Sequence, residues 1–321
     1  MLIAQKEYDR ARREFEQVLV SQPDDLQTLY AVGLLSIQQN DYANAEKYLK
    51  RYLDIGKKSK KPEAESYQAI FLLAQMAEER KNYDAALEWI DRISEEGDSE
   101  AWMLGQIKKA QIFFKQGQIK EARSHMAGLR HAYPGEEERL LLSESQMLRT
   151  AQMNKEAYAL LKTGVKKSPS NISLLYDFAL AAEKVNRTDE MEVSLRRVIE
   201  IDPNNQMAYN ALGYSLADRN VRLDEAHVLI AKALALSPDD PYVTDSMGWV
   251  LYRQGKLKEA ELLLRRAYEL LPEAEVMVHL GEVLWVSGQQ EDARSLFREA
   301  AKKEPQSEIL LETVKRLGVK Y

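Results

Sequence analysis

The sequence predicts an all-α fold, a solenoid of about eight helix-turn-helix repeats preceded by a partial repeat and closed by a capping helix. Three observations carry this. Pro134, Pro169, Pro203, Pro238, Pro272 and Pro305 recur at intervals of 35, 34, 35, 34 and 33 residues. Ala122, Ala157, Met191, Ala226, Ala260 and Ala293 each lie twelve residues before one of those prolines. Further upstream in three of the units stand Leu212-Gly213, Met247-Gly248 and Leu280-Gly281. A fixed period of this size marks a stacked array, because each unit can bury its apolar face only against its neighbours.

Taken in chain order, Tyr8, Ala11, Phe15 and Pro23 match the second half of a unit, so residues 1–23 read as a partial repeat. Gly33, Tyr42, Ala45 and Leu49 mark the first full unit, and Ala74, Tyr83, Ala86 and Ile90 the next. Ala110, Gly117, Ala122 and Met126 mark a third. In the better-marked later units, Gly213, Gly248 and Gly281 let two helices of one repeat approach. Ala226, Ala260 and Ala293 face that approach, and Ile230, Leu264 and Phe297 fill the space beyond. Gly255 turns the chain between the two helices. Proline ends the second helix, and the next restarts behind an Asp or Asn cap, as at Asp240-Pro241. Residues 26–305 thus read as about eight repeats and 306–321 as the capping helix, one continuous array over 1–321. A first unit without its first helix exposes an apolar face that solenoids ordinarily cap, so the chain is expected to be the C-terminal part of a longer protein.

A two-helix unit with Gly in the first helix, Ala in the second and Pro at the end resembles the tetratricopeptide repeat. The resemblance covers nearly the whole chain and implies a right-handed α-solenoid. It also implies that the first helices line a concave groove, which their second, fifth, ninth, twelfth and thirteenth positions face. Counted from the glycine at position eight, those positions are Tyr242, Asp245, Trp249, Tyr252 and Arg253 in one repeat. They are Met207, Asn210, Tyr214, Ala217 and Asp218 in the repeat before, and Glu275, Val278, Glu282, Trp285 and Val286 in the one after. Tyr176, Phe114, Ile107, Phe71 and Tyr30 fall at equivalent places upstream. Groove-facing Trp and Tyr combine large apolar area with a polar tip, the composition of binding hot spots. Gly248 is therefore expected to serve the packing, and its neighbour Trp249 to serve a partner.

Other chemistry finds little footing. The chain of 321 residues is 45% hydrophobic and 30% charged, the composition of an ordered protein. It has no Cys, which excludes disulfides, thiol nucleophiles and thiolate metal sites. Net charge is −6 with both signs interleaved, and the one basic run, KKSKKP at 57–62, reads as a solvated loop. No run approaches the roughly 18 apolar residues a membrane-crossing helix needs. His125, His131, His227 and His279 form no metal-binding or catalytic spacing and read as structural or solvated. The glycines around Trp249 are wrongly spaced for a phosphate-binding loop, and no G-x-S-x-G elbow is present. The Asn-x-Ser/Thr triplets at 171–173 and 186–188 are as many as chance supplies. No enzyme, cofactor, metal or nucleic acid is expected.

The run from NALGYSLADR through DSMGWVLYRQGKLKEA to HLGEVLWVSGQQEDA, within 207–305, is similar to the C-terminal repeats of a more specific group. This is the LbcA-type group of proteobacterial lipoprotein adaptors. That resemblance implies a lipid-anchored protein on the periplasmic side of the outer membrane. It would bind a carboxyl-terminal processing protease and deliver cell-wall hydrolases to it. The competing expectations are a cytoplasmic co-chaperone or assembly factor, and a subunit of a polysaccharide synthesis or export system. A co-chaperone's basic carboxylate clamp is disfavoured by Asn210, Asp218 and Asp245 at the relevant positions.

Overall fold

The protein, a computed structural model, is described over residues 8–59 and 64–321. The expectations for residues 1–7 of the partial repeat and for residues 60–62 of the basic run lie outside the described residues. The described residues form eighteen α-helices and no strand, so the all-α fold class holds. The chain divides into two compact units, Met1–Ala151 and Gln152–Tyr321.

In the first unit α1 (Tyr8–Ser21) precedes three helical hairpins. These pair α2 (Leu26–Gln38) with α3 (Tyr42–Ser59), α4 (Ala64–Glu79) with α5 (Tyr83–Ile90), and α6 (Ser99–Lys115) with α7 (Ile119–Ala132). A 3-10 turn at Pro134–Glu136 leads into α8 (Glu137–Thr150). Because α3 runs to Ser59, the start of the basic run at Lys57 is helical and not the loop its composition suggested.

The second unit opens with α9 (Asn154–Lys167) and continues as four hairpins. They pair α10 (Ile172–Lys184) with α11 (Thr188–Ile201), α12 (Gln206–Asp218) with α13 (Leu223–Leu236), α14 (Pro241–Arg253) with α15 (Leu257–Leu270), and α16 (Ala274–Val286) with α17 (Gln290–Lys303). The last helix, α18 (Glu308–Leu317), packs on α16 and α17.

Local chemistry sets these boundaries. Helix N-termini expose amide groups that short polar side chains can satisfy. Asp25, Asn171 and Asn205 accept from the amides of Thr28, Leu174 and Ala208 at 2.8, 2.9 and 3.0 Å. Asp240 accepts from both Tyr242 and Val243, with Pro241 in the first helical position, where its missing amide costs nothing. The first helix of each hairpin stops on one residue in the left-handed conformation, at Asn40, Lys81, Gly117, Asn186, Asn220, Gly255 and Gly288. In all seven the following amide reaches back five residues to a helix carbonyl, as Lys256 does to Leu251 at 2.9 Å. This is the Schellman stop.

The two helices of a hairpin are held close by small residues. A Cβ on Gly248 would lie 2.6 Å from Leu264 Cγ and 3.3 Å from the Ala260 carbonyl oxygen. Gly213 and Gly281 stand in the same relation to Ile230 and Phe297, which a Cβ would meet at only 2.6 and 2.7 Å. Ala226, Ala260, Ala293, Ile230, Leu264 and Phe297 are all fully buried. Each such large side chain stabilises the fold by about 1.5–3 kcal/mol. One core runs through the second unit from Leu175 to Val319, while the first unit has two, from Leu19 to Ile112 and from Met103 to Met147.

Candidate functional site

Apart from Tyr176 on α10, the residues singled out for binding in the second unit stand on consecutive first helices, α12, α14 and α16, with α18 next in line. Their side chains interlock across those helices, and the interlocking decides which are accessible.

Asp245 of α14 and His279 of α16 form the centre. His279 has no exposed surface, Asp245 is 5% exposed, and the imidazole Nδ1 donates to Asp245 Oδ2 at 2.8 Å. On the other side of the ring, His279 Nε2 lies 3.4 Å from the Tyr214 hydroxyl, which donates to Glu275 Oε1 at 2.9 Å. Tyr214 therefore reaches from α12 past α14 to α16. Burial pulls the His279 imidazolium down, but the Asp245 charge and hydrogen bond, with Glu275 and Asp218 behind them, hold it above its ordinary 6.5. The protonated ring has a donor for each neighbour, so the chain Asp245–His279–Tyr214–Glu275 closes with every hydrogen placed. Burial, followed by Glu275, pushes the Tyr214 phenol well above its usual range.

Trp249 stacks on His279 with centroids 4.2 Å apart and planes at 22°, and its ring meets Tyr252 at 5.1 Å. The Arg253 guanidinium lies 5.7 Å from the Trp249 centroid and donates to the Asp218 carbonyl at 3.2 Å. Next along, Tyr252 donates to Glu282 at 2.8 Å, and Arg316 of α18 grips both oxygens of the same carboxylate at 2.8 and 2.6 Å. Burial first, then the Glu282 charge, pushes the Tyr252 hydroxyl up to about 12.

This geometry corrects three expectations. Trp249 is only 3% exposed, Asp245 5% and Glu282 not at all, so none offers its surface to a groove. The reason is the next repeat: α16 brings His279 over Trp249, and α18 brings Arg316 over Glu282. Val278 and Ile107 are likewise buried in the cores of their units. Tyr214, Tyr252, Arg253 and Trp285 are half-buried, with the Arg294 guanidinium 5.2 Å from the Trp285 centroid. Asp218 is exposed, and Tyr242 keeps 54% of its surface while donating to Glu273 at 3.2 Å. Tyr176, half-buried on α10, packs on the core of the second unit. Tyr30 and Phe71 are half-buried in the first unit, where Tyr30 donates to Gln68 at 3.0 Å, and are not part of this cluster.

Glu275 was among the expected groove positions, whereas His279 and Arg316 were not legible as members of the site. A signal existed: His279 interrupts an apolar helix 34 residues after Asp245, about one repeat on. A hollow of about 1000 Å³ lies elsewhere, among Val165, Phe178, Val193 and Leu229. No group of three or more potential metal ligands and no helix long and apolar enough to cross a membrane occurs among the described residues.

Sequence models of the tetratricopeptide repeat match residues 2–62, 172–205 and 246–308, and a model of anaphase-promoting complex subunit 3 matches 38–129. TPR repeat-containing protein PA4667 of Pseudomonas aeruginosa is 41% identical over 214 residues, 67% of this chain and 36% of that protein. A TPR repeat-containing protein of Dictyostelium discoideum is 28% identical over 109 residues, 32% of this chain and 41% of that one. The chain thus spans little more than a third of each relative's length. Among solved structures, a tetratricopeptide repeat protein of Parabacteroides merdae matches 80% of this chain and 100% of its own, with a TM-score of 0.59 at 16% identity. The type IV pilus biogenesis factor PilW matches 65% of this chain and 96% of its own, with a TM-score of 0.52 at 14% identity. At those identities the likeness is one of fold. Periodicity, hairpin geometry and sequence matches agree that this chain is built of tetratricopeptide repeats.

Proposed function

We propose that the protein is a non-catalytic scaffold that binds a peptide or protein partner along the first-helix face of its second unit. One observation carries the reading. Met207 and Tyr242, each 54% exposed, stand at the same register of α12 and α14, on a run of first helices that also carries half-buried Tyr214, Tyr252 and Trp285. Exposed apolar area on a face that also carries aromatic residues with polar tips is the makeup of a protein-binding surface. The tetratricopeptide fold itself is consistent with protein–protein interaction.

A photo-crosslinking residue placed at Met207 or Tyr242 tests this in cell extract. The control position is Leu262, 71% exposed on α15, a second helix. Adducts with a discrete protein from Met207 and Tyr242 but not from Leu262 are expected. Adducts from Leu262 alone would move the binding face to the second helices.

The finer reading is an adaptor on the periplasmic side of the outer membrane that delivers cell-wall hydrolases to a carboxyl-terminal processing protease. It rests on the resemblance of residues 207–305 to that lipoprotein group. With purified protease and hydrolase, adding the chain should speed hydrolase cleavage at least several-fold. An unchanged rate would leave the scaffold without this role.

A further inference from the structure

The second helices carry an apolar stripe of their own. Val193 on α11, Val228 on α13 and Leu262 on α15 are 70%, 67% and 71% exposed. They stand at one register, two residues after Met191, Ala226 and Ala260. At that register α7, α9 and α17 carry exposed Ser124, Ala159 and Ser295, so the large apolar side chains are confined to three consecutive repeats. Side chains tie those repeats together: Arg196 of α11 reaches Glu225 of α13 at 2.6 Å, and Arg266 of α15 reaches Asp239, in the turn after α13, at 3.1 Å. The hollow among Val165, Phe178, Val193 and Leu229 adjoins the stripe and widens its apolar surface. Contiguous exposed apolar area of this kind marks an interaction site.

Charges of opposite sign flank the stripe. Toward the helix N-termini lie Asp189, Asp224 and Glu259, and toward the C-termini lie Arg197, Lys232 and Arg265, all exposed. Each pair is equidistant from its apolar residue, four positions either way on α11 and α13 and three on α15. Such a surface is complementary to itself. Turning a second copy by 180° about a line along the stripe lays its basic side over the acidic side of the first. Turning it about a line parallel to the helices would oppose acid to acid and base to base. Lys258, which would meet Arg266, departs from the pattern.

We propose that the protein self-associates through this face as a two-fold dimer, with α11, α13 and α15 each antiparallel to its own copy. Val193, Val228 and Leu262 meet their counterparts on the axis. Asp189 faces Arg197, Asp224 faces Lys232 and Glu259 faces Arg265 of the second copy. Arg197 and Arg265 rest on Glu200 and Glu261 of their own helices, but exposed pairs are weak enough to exchange partners. Three apolar side chains and a charged rim fall short of a standard interface of roughly 1,600 Å², so the dissociation constant is of order 10–100 μM. The dimer uses no first-helix residue, and in dilute extract it is dissociated, so Leu262 still serves there as the crosslinking control.

Sedimentation equilibrium of the full chain, from well below to well above that range, should show monomer giving way to dimer. Val228→Asp should weaken the dimer at least tenfold, whereas Val20→Asp, at a residue 84% exposed on α1, should leave it as it was. Arg197→Glu and Asp189→Arg should each weaken it at least threefold at low salt. An equimolar mixture of those two should recover the loss, because each then meets the opposite charge. The chain has no Cys, so single cysteines report the axis directly. Leu262→Cys should form a disulfide-linked dimer at least tenfold faster than Val20→Cys under mild oxidation, with circular dichroism reporting intact helices in every variant. A monomer at all concentrations, or a dimer indifferent to Val228→Asp, overturns the proposal. So does a mixture no tighter than its components, or equal crosslinking of the two cysteine variants. Each of these results leaves the first-helix reading standing.

Discussion

His279 is buried between a carboxylate, an indole and a phenol, and its protonation state is tied to stability. Its imidazolium is favoured in the folded protein, so the stabilisation is whole below the ordinary value of 6.5. It drains away as pH climbs through the raised folded value. The groups facing it are Asp245 and Trp249 on α14, Tyr214 and Asp218 on α12, and Glu275 on its own helix. The thermal midpoint should therefore fall as pH rises above the ordinary value of 6.5, and His279→Gln should flatten that slope. An identical slope in the variant would show that His279 is not its source. The residue also shows where the sequence stops speaking. Its partner Asp245 was placed on the right helix, because the repeat period sets register. That Trp249 would be covered by His279 depends on a contact between repeats, and that Tyr214 would reach Glu275, 61 residues away, on one that skips a repeat. No local pattern encodes either.

Within a hairpin, Gly248 sets two effects of opposite sign against each other. Alanine gains about 1 kcal/mol in helix propensity over glycine. Its Cβ, however, would stand 2.6 Å from Leu264 Cγ and 3.3 Å from the Ala260 carbonyl oxygen, and Leu264 is fully buried. Overpacking of this kind costs about 1–3 kcal/mol, so Gly248→Ala should be destabilising by denaturant melts. Combined with Leu264→Ala, the losses should be clearly less than additive, because the second change removes the clash. Strict additivity would mean that the contact is not what keeps a glycine there. This glycine was legible because a close approach admits few residue types. The left-handed helix stops at Asn40, Lys81, Asn186 and Asn220 were not, because asparagine and lysine serve many other purposes.

At the C-terminal end, α18 is docked by one charged pair as well as by Leu310 and Thr313. Glu282 has no exposed surface, and Arg316 supplies two of the hydrogen bonds to it. Arg316→Ala leaves Tyr252 as the remaining donor to a buried carboxylate, at a cost of roughly 1–3 kcal/mol. Hydrogen exchange of residues 308–317 should speed up about tenfold or more, while α15 is little changed. Because half of Arg316 is solvated, Arg316→Lys should recover part of the protection. Unchanged exchange in the alanine variant would assign the docking to the apolar contacts alone.

For the whole molecule, the separate cores make a prediction about how far damage spreads. Stability in stacked repeats is approximately a sum over units and their nearest neighbours, so a lesion is felt most where it is made. Trp249 belongs to the core of the second unit, which runs from Leu175 to Val319 and shares no residue with the two cores of the first. Its full burial implies a loss of about 3–5 kcal/mol in Trp249→Ala, far more than removal of a surface contact would cost. Hydrogen exchange should accelerate through α12, α14 and α16 and remain near its original rate in α2 to α5. A residue serving chiefly a partner would instead leave exchange unchanged in the free protein and alter only binding. Equal acceleration in both units would show that the chain unfolds as one cooperative body despite its divided cores. The pattern of exchange thus reads the same substitution at two scales: its size reports the burial of one indole, and its extent reports how far each repeat depends on the next.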